Sequence, residues 1–450
     1  MTTTLKNGIS SDSSLSIPQE LLDYILDFLH DDVPTLRTCS LVSHAFLPCS
    51  RYHIYSSAFI GHKYELDPFR DQYAGQLYQG KNLAALLKHS PHVAPLVTRF
   101  GIHAMSNRMT EFLKDTSLFP IIQSLRNLSH IEFICRQYRR APFPVATLRV
   151  FLAALRSVLL KTFICNGISF EQGQFEDLLT AATNPALKHM SLACDHGADR
   201  ASEPYPPIRP PPDGLPALES LCIAGKAISS NIAWLFFHQS LYNIRGIRHL
   251  SLQIYDGTTS SLLQGLLNEM QGSLESFTLD VIPWEDQGVR LDLRQHRMLS
   301  SFFMILASPV DPRLVGMRLS PALQTFTVEQ VCHGWEHDSR RSMHAWSEFD
   351  AHLDGLMLPA LQRVHIRLHD STHGICQEFR CHGREHDICR CADCYDIRYD
   401  SHSYSMECDK WEWKYQVEKI MPLLRGKGIL EVEAVKQRCC IPRAFDYNVL

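Results

Sequence analysis

Apolar residues recur at steps of three and four near the N-terminus, after a polar leader of residues 1–15. Over residues 17–29 this pattern predicts an amphipathic helix. Ser16 followed three residues later by Gln19 fits a capping box, with Pro18 in the first turn, where its missing N–H costs nothing. The first helix is therefore expected to begin at this point.

A second apolar pattern begins at Pro34 and predicts another helix. We expect that helix to stop before Pro48, because a residue that precedes a proline is pushed out of the helical region. A third short helix is predicted from Arg51 to Tyr55. Together the three helices predict a compact unit at residues 16–57 that is too small to cover its own apolar stripe.

From residue 93 the pattern changes to apolar-x-x-apolar-x-apolar, the strand portion of a repeat in which alternate side chains point into one core. The first seven copies follow one another at steps of 27 to 32 residues, whereas the last two steps are 49 and 38 and imply insertions or a missed copy. Several copies share an entry sequence, as in NPALKHMSL, LPALESLCI, SPALQTFTV and LPALQRVHI. The nine copies are Val97-Phe100-Ile102, Leu128-Ile131-Phe133, Leu160-Phe163-Cys165, Leu187-Met190-Leu192, Leu218-Leu221-Ile223, Ile247-Leu250-Leu252, Leu274-Phe277-Leu279, Leu323-Phe326-Val328 and Leu361-Val364-Ile366.

Between the strand copies lie segments with the apolar stripe of a helix: Phe175 to Ala182, Ala233 to Leu241, Ser261 to Met270, Leu299 to Ala307 and Trp346 to Leu356. Alternating helices and strands predict an α/β fold, either a doubly wound sheet or a solenoid. We favour an irregular leucine-rich-repeat solenoid over residues 93–435, with strands on the concave side and helices outside, because the strands share one entry sequence. The Asn of the usual repeat signature is largely absent. A helix from Trp411 to Leu424 and a strand from Ile429 to Val432 are expected to close the array.

The other segments are predicted to connect or extend this body. Residues 58–92 are expected to form a linker and the first helix of the body. The segment at 203–216 is too rich in proline for a helix or a central strand and predicts an extended loop. A Cys/His-rich insertion is expected at 370–410, and a C-terminal tail at 436–450.

Charge and hydropathy exclude two classes of partner. The chain has 450 residues, with 44 Lys and Arg against 48 Asp and Glu, so no global positive field favours nucleic acid. The basic group Arg136, Arg139 and Arg140 is interpreted as a solvated loop. The leader lacks the apolar run of a secretory signal, and charges interrupt the most apolar helical segment, Thr147 to Cys165, so no membrane partner is expected.

These features predict a soluble protein that is cytoplasmic and/or nuclear. In that reducing setting the 15 cysteines are expected to be buried small hydrophobes, with a few candidate metal ligands among them, rather than a disulfide framework.

The N-terminal helical unit carries a resemblance to a known family. The run IPQELLDYILDFLHDDVPTLRTCSLVSHAFLPCSRYHIY resembles the F-box, and its arrangement looks like the F-box-like proteins of mushroom-forming fungi, which often have degenerate leucine-rich repeats too. The closing aromatic is Phe46 where the family usually has Trp, and His44 stands where Lys or Arg is common. The matching positions are Ile17-Pro18, Glu20-Leu21, Ile25-Leu26, Leu36 and Val42-Ser43-His44-Ala45-Phe46.

The resemblance implies a substrate-recognition adaptor of a cullin-RING (SCF-type) ubiquitin ligase. The helices would bind the Skp-type linker that sits on the cullin scaffold, and the repeat surface would bind an unidentified protein substrate. The alternative is a leucine-rich-repeat interaction scaffold with no ubiquitin role, in which the helices only cap the solenoid. The linker contacts that the resemblance implies are Ile17, Pro18, Leu21, Leu22, Ile25, Leu26, Leu29, Leu36, Leu41, Val42 and Phe46.

The Cys/His-rich insertion contains half of a possible zinc site, since Cys391-x-x-Cys394 has the spacing of two tetrahedral ligands. No second spacing of this kind completes it, so incidental thiols are the favoured interpretation and no cofactor is expected. The weak metal candidates are Cys381, His386, Cys389, Cys391 and Cys394.

Three further histidines, His365, His369 and His373, have helical spacing, but their surroundings alternate as in a strand, so they are expected at the surface. The sequence contains no Gly-x-Ser-x-Gly elbow, no Gly-rich phosphate loop and no His-Glu-x-x-His. The chain is therefore predicted not to be an enzyme.

Overall fold

The computed structural model describes a large part of the chain, divided into separate segments. They are residues 17–61, 77–104, 106–135, 141–142, 145–156, 159–170, 174–181, 185–196, 217–224, 243–254, 260–281, 291–306, 317–332, 335–370, 414–415 and 417–435. The predicted leader at 1–15, proline-rich loop at 203–216, helix from Ala233 to Leu241 and tail at 436–450 lie outside the described residues.

Three helices form the N-terminal unit: α1 (Gln19–Asp27), α2 (Val33–Val42) and α3 (Leu47–Tyr55). Asp32 caps α2, because its carboxylate accepts a hydrogen bond from the Thr35 backbone N–H at 3.1 Å. Two details differ from the sequence prediction. Pro18 is the N-cap residue of α1 rather than part of its first turn, and Pro48 lies in the first turn of α3 rather than ending α2.

Fourteen strands form one sheet, in which every described strand pairing is parallel. The strands are β1 (Ser57–Gly61), β2 (Leu77–Tyr78), β3 (Arg99–Ala104), β4 (His130–Cys135), β5 (Ala141–Pro142), β6 (Thr162–Phe170), β7 (His189–His196), β8 (Ser220–Ile223), β9 (His249–Ile254), β10 (Ser276–Val281), β11 (Ser301–Leu306), β12 (Thr325–Cys332), β13 (Arg363–Asp370) and β14 (Leu430–Val435).

The strand order follows the order of the chain. From β3 to β14 each main strand pairs with its neighbours in sequence, while β2 lies outside β1 and the short β5 pairs only with β6. The sheet is not closed into a barrel, since β14 and β2 form its two ends. The predicted α/β class is confirmed, and the order between β3 and β14 has none of the reversal that a doubly wound sheet would show.

One face of the sheet carries two rows of buried apolar side chains. Residues that are paired across neighbouring strands occupy the same row, so each row continues from strand to strand. The first row, from β3 to β13, is Phe100, Ile131, Phe163, Met190, Leu221, Leu250, Phe277, Phe302, Phe326 and Val364. The second is Ile102, Phe133, Cys165, Leu192, Ile223, Leu252, Leu279, Met304, Val328 and Ile366.

Helices pack against these rows and complete a single core. Outside the N-terminal unit they are α4 (Gly80–His89), α5 (Ser106–Lys114), α6 (Leu118–Ser124), α7 (Val145–Leu155), α8 (Gln174–Ala181), α9 (Ser260–Glu269), α10 (Trp335–Gly355) and α11 (Pro422–Gly426). Short 3₁₀ helices lie at Pro91–Leu96 and Ile244–Gly246. Within the described ranges, no helix has both the length and the apolar composition that crossing a membrane requires.

One sequence prediction about these elements was wrong, and a second was correct only in part. The segment from Leu299 to Ala307 was expected to be helical, but its residues 301–306 form strand β11. The segment at 58–92 was expected to be a linker followed by a helix; the helix is confirmed as α4, but the start of the segment belongs to β1, which pairs with β3 inside the sheet. Each segment has consecutive apolar residues, which do not show the alternation of a strand with one buried face.

Candidate protein-docking site

The N-terminal unit has a small core of its own. Leu26 of α1, Leu36 of α2 and Ile54 of α3 pack together and are almost wholly buried. Partly buried neighbours, among them Leu29 and Phe46, surround them. The core holds the three helices together and fixes which side of each helix faces outward.

Helix α1 exposes large apolar side chains on the side that faces away from Leu26. Leu21 and Ile25 are each 53% exposed, and Phe28 is 67% exposed. These residues are three and four positions apart, so they share one helix face. Tyr24 lies beside Phe28, with its ring centroid 4.8 Å away in an edge-on arrangement. The outward face of α1 is thus apolar, although a solvated helix face is usually polar.

The C-terminal end of α2 adds two more exposed apolar residues. Leu41 is 87% exposed and Val42 is 69% exposed. The side-chain amide of Gln19 donates a hydrogen bond of 2.8 Å to the carbonyl oxygen of Ala45, so the start of α1 lies beside the turn that follows α2. We name the following residues the exposed apolar set: Ile17, Leu21, Tyr24, Ile25, Phe28, Leu41 and Val42.

The structure divides the predicted linker contacts into three groups. The exposed residues are Ile17, Pro18, Leu21, Ile25, Leu41 and Val42, and the half-buried ones are Leu22, Leu29 and Phe46. Leu26 and Leu36 are 1% and 0% exposed, so in this conformation they support the helices and offer no surface to a partner. Tyr24 and Phe28 are exposed but are absent from the predicted contacts, although their helical spacing from Leu21 and Ile25 is visible in the sequence.

Exposure of this kind has an energetic consequence. Burial of one Leu, Ile or Phe side chain contributes about 1.5–3 kcal/mol, so a partner that covered several of these residues would gain a large hydrophobic term. Clusters of exposed apolar residues on a soluble protein mark interaction sites more often than single ones do. The arrangement is suited to binding a protein, with the affinity concentrated in a few anchors.

A second feature of interest is the sheet face opposite the core. In its central row, Gly101, Glu132, Ile164, Ser191 and Cys222 are buried. From β9 to β13 the same row is half-exposed and consists of Ser251, Thr278, Phe303, Thr327 and His365. This half of the face is lined by the partly exposed side chains of one Ser, two Thr, one Phe and one His, among which the Ser251 hydroxyl oxygen and the His365 Nε2 are themselves buried.

At the C-terminal end of this face, ion pairs bridge three neighbouring strands. Arg367 of β13 lies 3.1 Å from Glu329 of β12 and 3.3 Å from Glu433 of β14, measured between nitrogen and carboxylate oxygen. His365 lies 3.2 Å from Glu433. The strand prediction for His365 and His369 is confirmed, since both belong to β13, but the side chain of His365 is only 15% exposed and does not lie at the surface as expected. His373 lies outside the described residues.

At the other end of this face, a buried carboxylate is surrounded by three basic side chains. Glu132 is 1% exposed, and its oxygens lie 2.7 Å from Arg99, 2.5 Å from His103 and 2.8 Å from His130. Burial would raise the pKa of Glu132, but the charge and hydrogen bond of His103, the hydrogen bond of His130 and the charge of Arg99 together hold it well below its usual value. Burial also lowers the pKa of His130.

Space for this carboxylate exists because Gly101 has no side chain. A Cβ at Gly101 would lie 2.7 Å from Cγ of Glu132 and 2.7 Å from the Phe59 ring. The Arg99 guanidinium also lies over that ring, 5.3 Å from its centroid. The cluster is closely packed and internally paired, which indicates a structural role.

The predicted metal candidates cannot be placed in this fold. Cys381, His386, Cys389, Cys391 and Cys394 lie outside the described residues, as do Arg136, Arg139 and Arg140. Comparison with models of known protein families gives no match, and comparison with curated proteins gives none either. The likeness of the N-terminal unit to the F-box therefore depends on its own residues.

Proposed function

We propose that this protein is a substrate-recognition adaptor of a cullin-RING (SCF-type) ubiquitin ligase. The observation that carries the proposal is the exposed apolar set on an otherwise folded three-helix unit. The unit occupies the part of the sequence that resembles the F-box, and the side chains that its own core leaves uncovered include Leu21 and Ile25, two of the predicted anchors. A Skp-type linker would cover them and connect the chain to the cullin scaffold.

The division between buried and exposed residues suits this role. Leu26, Leu36 and Ile54 hold the helices in place before any partner arrives, so binding does not require the unit to fold. The exposed apolar set is then preorganised, and its burial contributes directly to affinity.

In this proposal one face of the sheet binds the substrate. The order of the strands and the rows of apolar residues that join them are those expected of a leucine-rich-repeat solenoid, in which each repeat packs only against its neighbours. The half-exposed face from β9 to β13 would bind the substrate protein through its hydroxyl groups and through Phe303. The protein would act in the cytoplasm and/or nucleus as a binding adaptor without catalytic chemistry of its own.

Capture by a purified fungal Skp-type linker tests the proposal. Wild type is expected to co-purify with the linker, whereas the double variant Leu21→Asp with Ile25→Asp is expected to bind about 100-fold more weakly or not at all, because two apolar anchors become charged. The dissociation constants can be measured by calorimetry or biolayer interferometry.

Met357→Asp is the matched control for this experiment. Met357 is 84% exposed and lies beyond α10, far along the chain from the N-terminal unit. Its backbone φ of 48° lies in the left-handed region, which Asp tolerates better than most residues. This control should bind as wild type does. Absence of binding by wild type would favour the scaffold without a ubiquitin role, and full binding by the double variant would reject the assigned contacts.

A further inference from the structure

Three metal-ligand types meet where α1 packs against α3. They are the carboxylate of Asp27 at the end of α1 and the thiol of Cys49 and the imidazole of His53, both on α3. One ligand atom from each residue lies within 4.8 Å of the other two. Nε2 of His53 lies 2.8 Å from Oδ1 of Asp27, and Sγ of Cys49 lies 3.8 Å from the same oxygen.

The fold brings these residues together independently of any ligand. Cys49 and His53 are four positions apart on α3, which places them on the same side of that helix. Asp27 follows Leu26, whose buried side chain packs against Ile54, the residue after His53. The positions of all three ligands are therefore set by the core of the N-terminal unit.

We propose that Asp27, Cys49 and His53 form a Zn²⁺ site. A thiolate, an imidazole and a carboxylate are the three ligand types that zinc accepts in proteins. Tetrahedral zinc with bonds of about 2.0–2.3 Å places its ligand atoms about 3.3–3.6 Å apart. The His53–Asp27 and Cys49–Asp27 separations of 2.8 and 3.8 Å lie on either side of that range, and the Cys49–His53 separation is within 4.8 Å, so rotation of these side chains would be needed to bring the three atoms around one ion.

The surroundings allow entry and a fourth ligand. The side chain of Asp27 is 60% exposed and that of His53 is 12% exposed, so the site opens to solvent on the Asp27 side. A water molecule can complete the tetrahedron there. A second imidazole, that of His30, lies beside the site with its ring centroid 6.4 Å from that of His53.

A nucleophilic role for the same thiol is disfavoured. Burial, followed by the negative charges of Asp27 and Asp23, raises the pKa of the Cys49 thiol to about 11. A reactive cysteine needs the opposite, a lowered pKa and a positive neighbour. A bound cation would displace the proton of the Cys49 thiol and balance the negative charge of Asp27. A hydrolytic Cys-His-Asp arrangement contains no such cation.

The site lies apart from Leu21 and Ile25, the two linker anchors that the capture experiment replaces. On a helix with 3.6 residues per turn, Asp27 lies about 120° from Leu21 and about 160° from Ile25. Zinc would join the end of α1 to α3 and stabilise the unit while leaving those apolar side chains exposed. The inference does not depend on the ubiquitin function, because it rests on residues that the linker is not proposed to contact.

Alkylation of the full-length protein by iodoacetamide tests the site at one residue. Cys39 and Cys49 fall in the same tryptic peptide, residues 38–51, so fragment masses report both thiols together. With micromolar free Zn²⁺, the alkylation rate of Cys49 is expected to fall about tenfold or more relative to protein in EDTA, because a metal-bound thiolate is shielded. The rate at Cys39 is expected to stay unchanged.

Variants distinguish Zn²⁺ ligation by these residues from a general shielding of the Cys49 thiol. His53→Ala and Asp27→Asn should each abolish the protection of Cys49 by Zn²⁺, whereas Asp23→Asn, which alters a neighbouring carboxylate outside the ligand set, should keep it. Zinc bound in the Cys/His-rich segment does not affect a rate measured at Cys49. Equal Cys49 rates with and without Zn²⁺ in wild type would overturn the proposal, and that comparison does not require any variant to fold. Protection that persists in a folded His53→Ala variant would overturn the ligand set.

Discussion

Replacement of Phe302 by Ala is expected to lower the free energy of unfolding by about 3–5 kcal/mol. Phe302 is fully buried in β11. Its ring stacks on Phe277 at a centroid distance of 5.2 Å and on Phe326 at 5.1 Å, with interplanar angles of 7° and 8°. The substitution removes the middle ring, so a cavity forms and both ring contacts are lost. Urea unfolding followed by circular dichroism measures the change.

The adjacent residue provides the control. Phe303 belongs to the same strand but faces the opposite side of the sheet, where it is only partly buried. Phe303→Ala is expected to cost about 1–2 kcal/mol, since less apolar area is covered there. Equal costs for the two variants would contradict the strand assignment, because a helix through this segment could turn both rings toward one core.

The same strand shows where sequence reasoning failed. The run SSFFMILAS is apolar on consecutive positions, so its period does not distinguish a helix from a strand that has apolar side chains on both faces. The long step of 49 residues between Leu274 and Leu323 had implied either an insertion or a missed copy. That copy is Leu299-Phe302-Met304, all three residues of which are buried. The spacing of the repeats was better evidence than the local pattern.

The nine predicted copies coincide with strands for an identifiable reason. In Leu218-Leu221-Ile223, as in the other copies, alternate residues enter the core while those between them face the other side. Strand β1 escaped this search because Ala58, Phe59 and Ile60 are buried on both faces and so do not alternate. Strand pairing then continues the rows of residues from one copy to the next, which a sequence pattern indicates only indirectly.

For the candidate docking site, the sequence predicted the apolar stripe but not which of its residues are buried and which are exposed. Leu21, Ile25 and Leu26 all belong to one helical apolar pattern. Only the packing of Leu26 against Ile54 decides that Leu26 is internal while Leu21 and Ile25 are exposed. The Asp27, Cys49 and His53 cluster could not be predicted at all, since its members lie on two helices and no local spacing connects Asp27 with the other two.

Replacement of Glu132 by Ala is the second variant for which we expect a large loss, about 3–5 kcal/mol of unfolding free energy. Its carboxylate is buried and is the shared partner of Arg99, His103 and His130. Without it, basic groups held in a largely buried cluster lose their counter-charge, and their desolvation is no longer offset. Urea unfolding at neutral pH measures the cost.

A second glutamate in the same row of the sheet allows the effect of burial on stability to be separated from the effect of charge. Glu431 pairs with Arg363, but the two side chains are 50% and 51% exposed. Glu431→Ala is therefore expected to change stability by no more than about 1 kcal/mol, because water solvates both groups when they separate. A similar loss in the two variants would mean that the Glu132 cluster contributes no more than a surface ion pair.

Acidification supplies an independent check on the buried cluster. The pKa of Glu132 is lower in the folded protein than its usual value of 4.5. As the pH falls, the carboxylate of Glu132 is therefore protonated in the unfolded chain before it is protonated in the folded protein. The stabilisation from Glu132 is thus fully present above pH 4.5 and is lost progressively as the pH falls below it. The stability difference between wild type and Glu132→Ala should accordingly narrow in acid, whereas the difference for Glu431→Ala should stay small at every pH. A gap that stayed constant down to the acid limit of folding would show that the carboxylate charge is not what stabilises this end of the sheet.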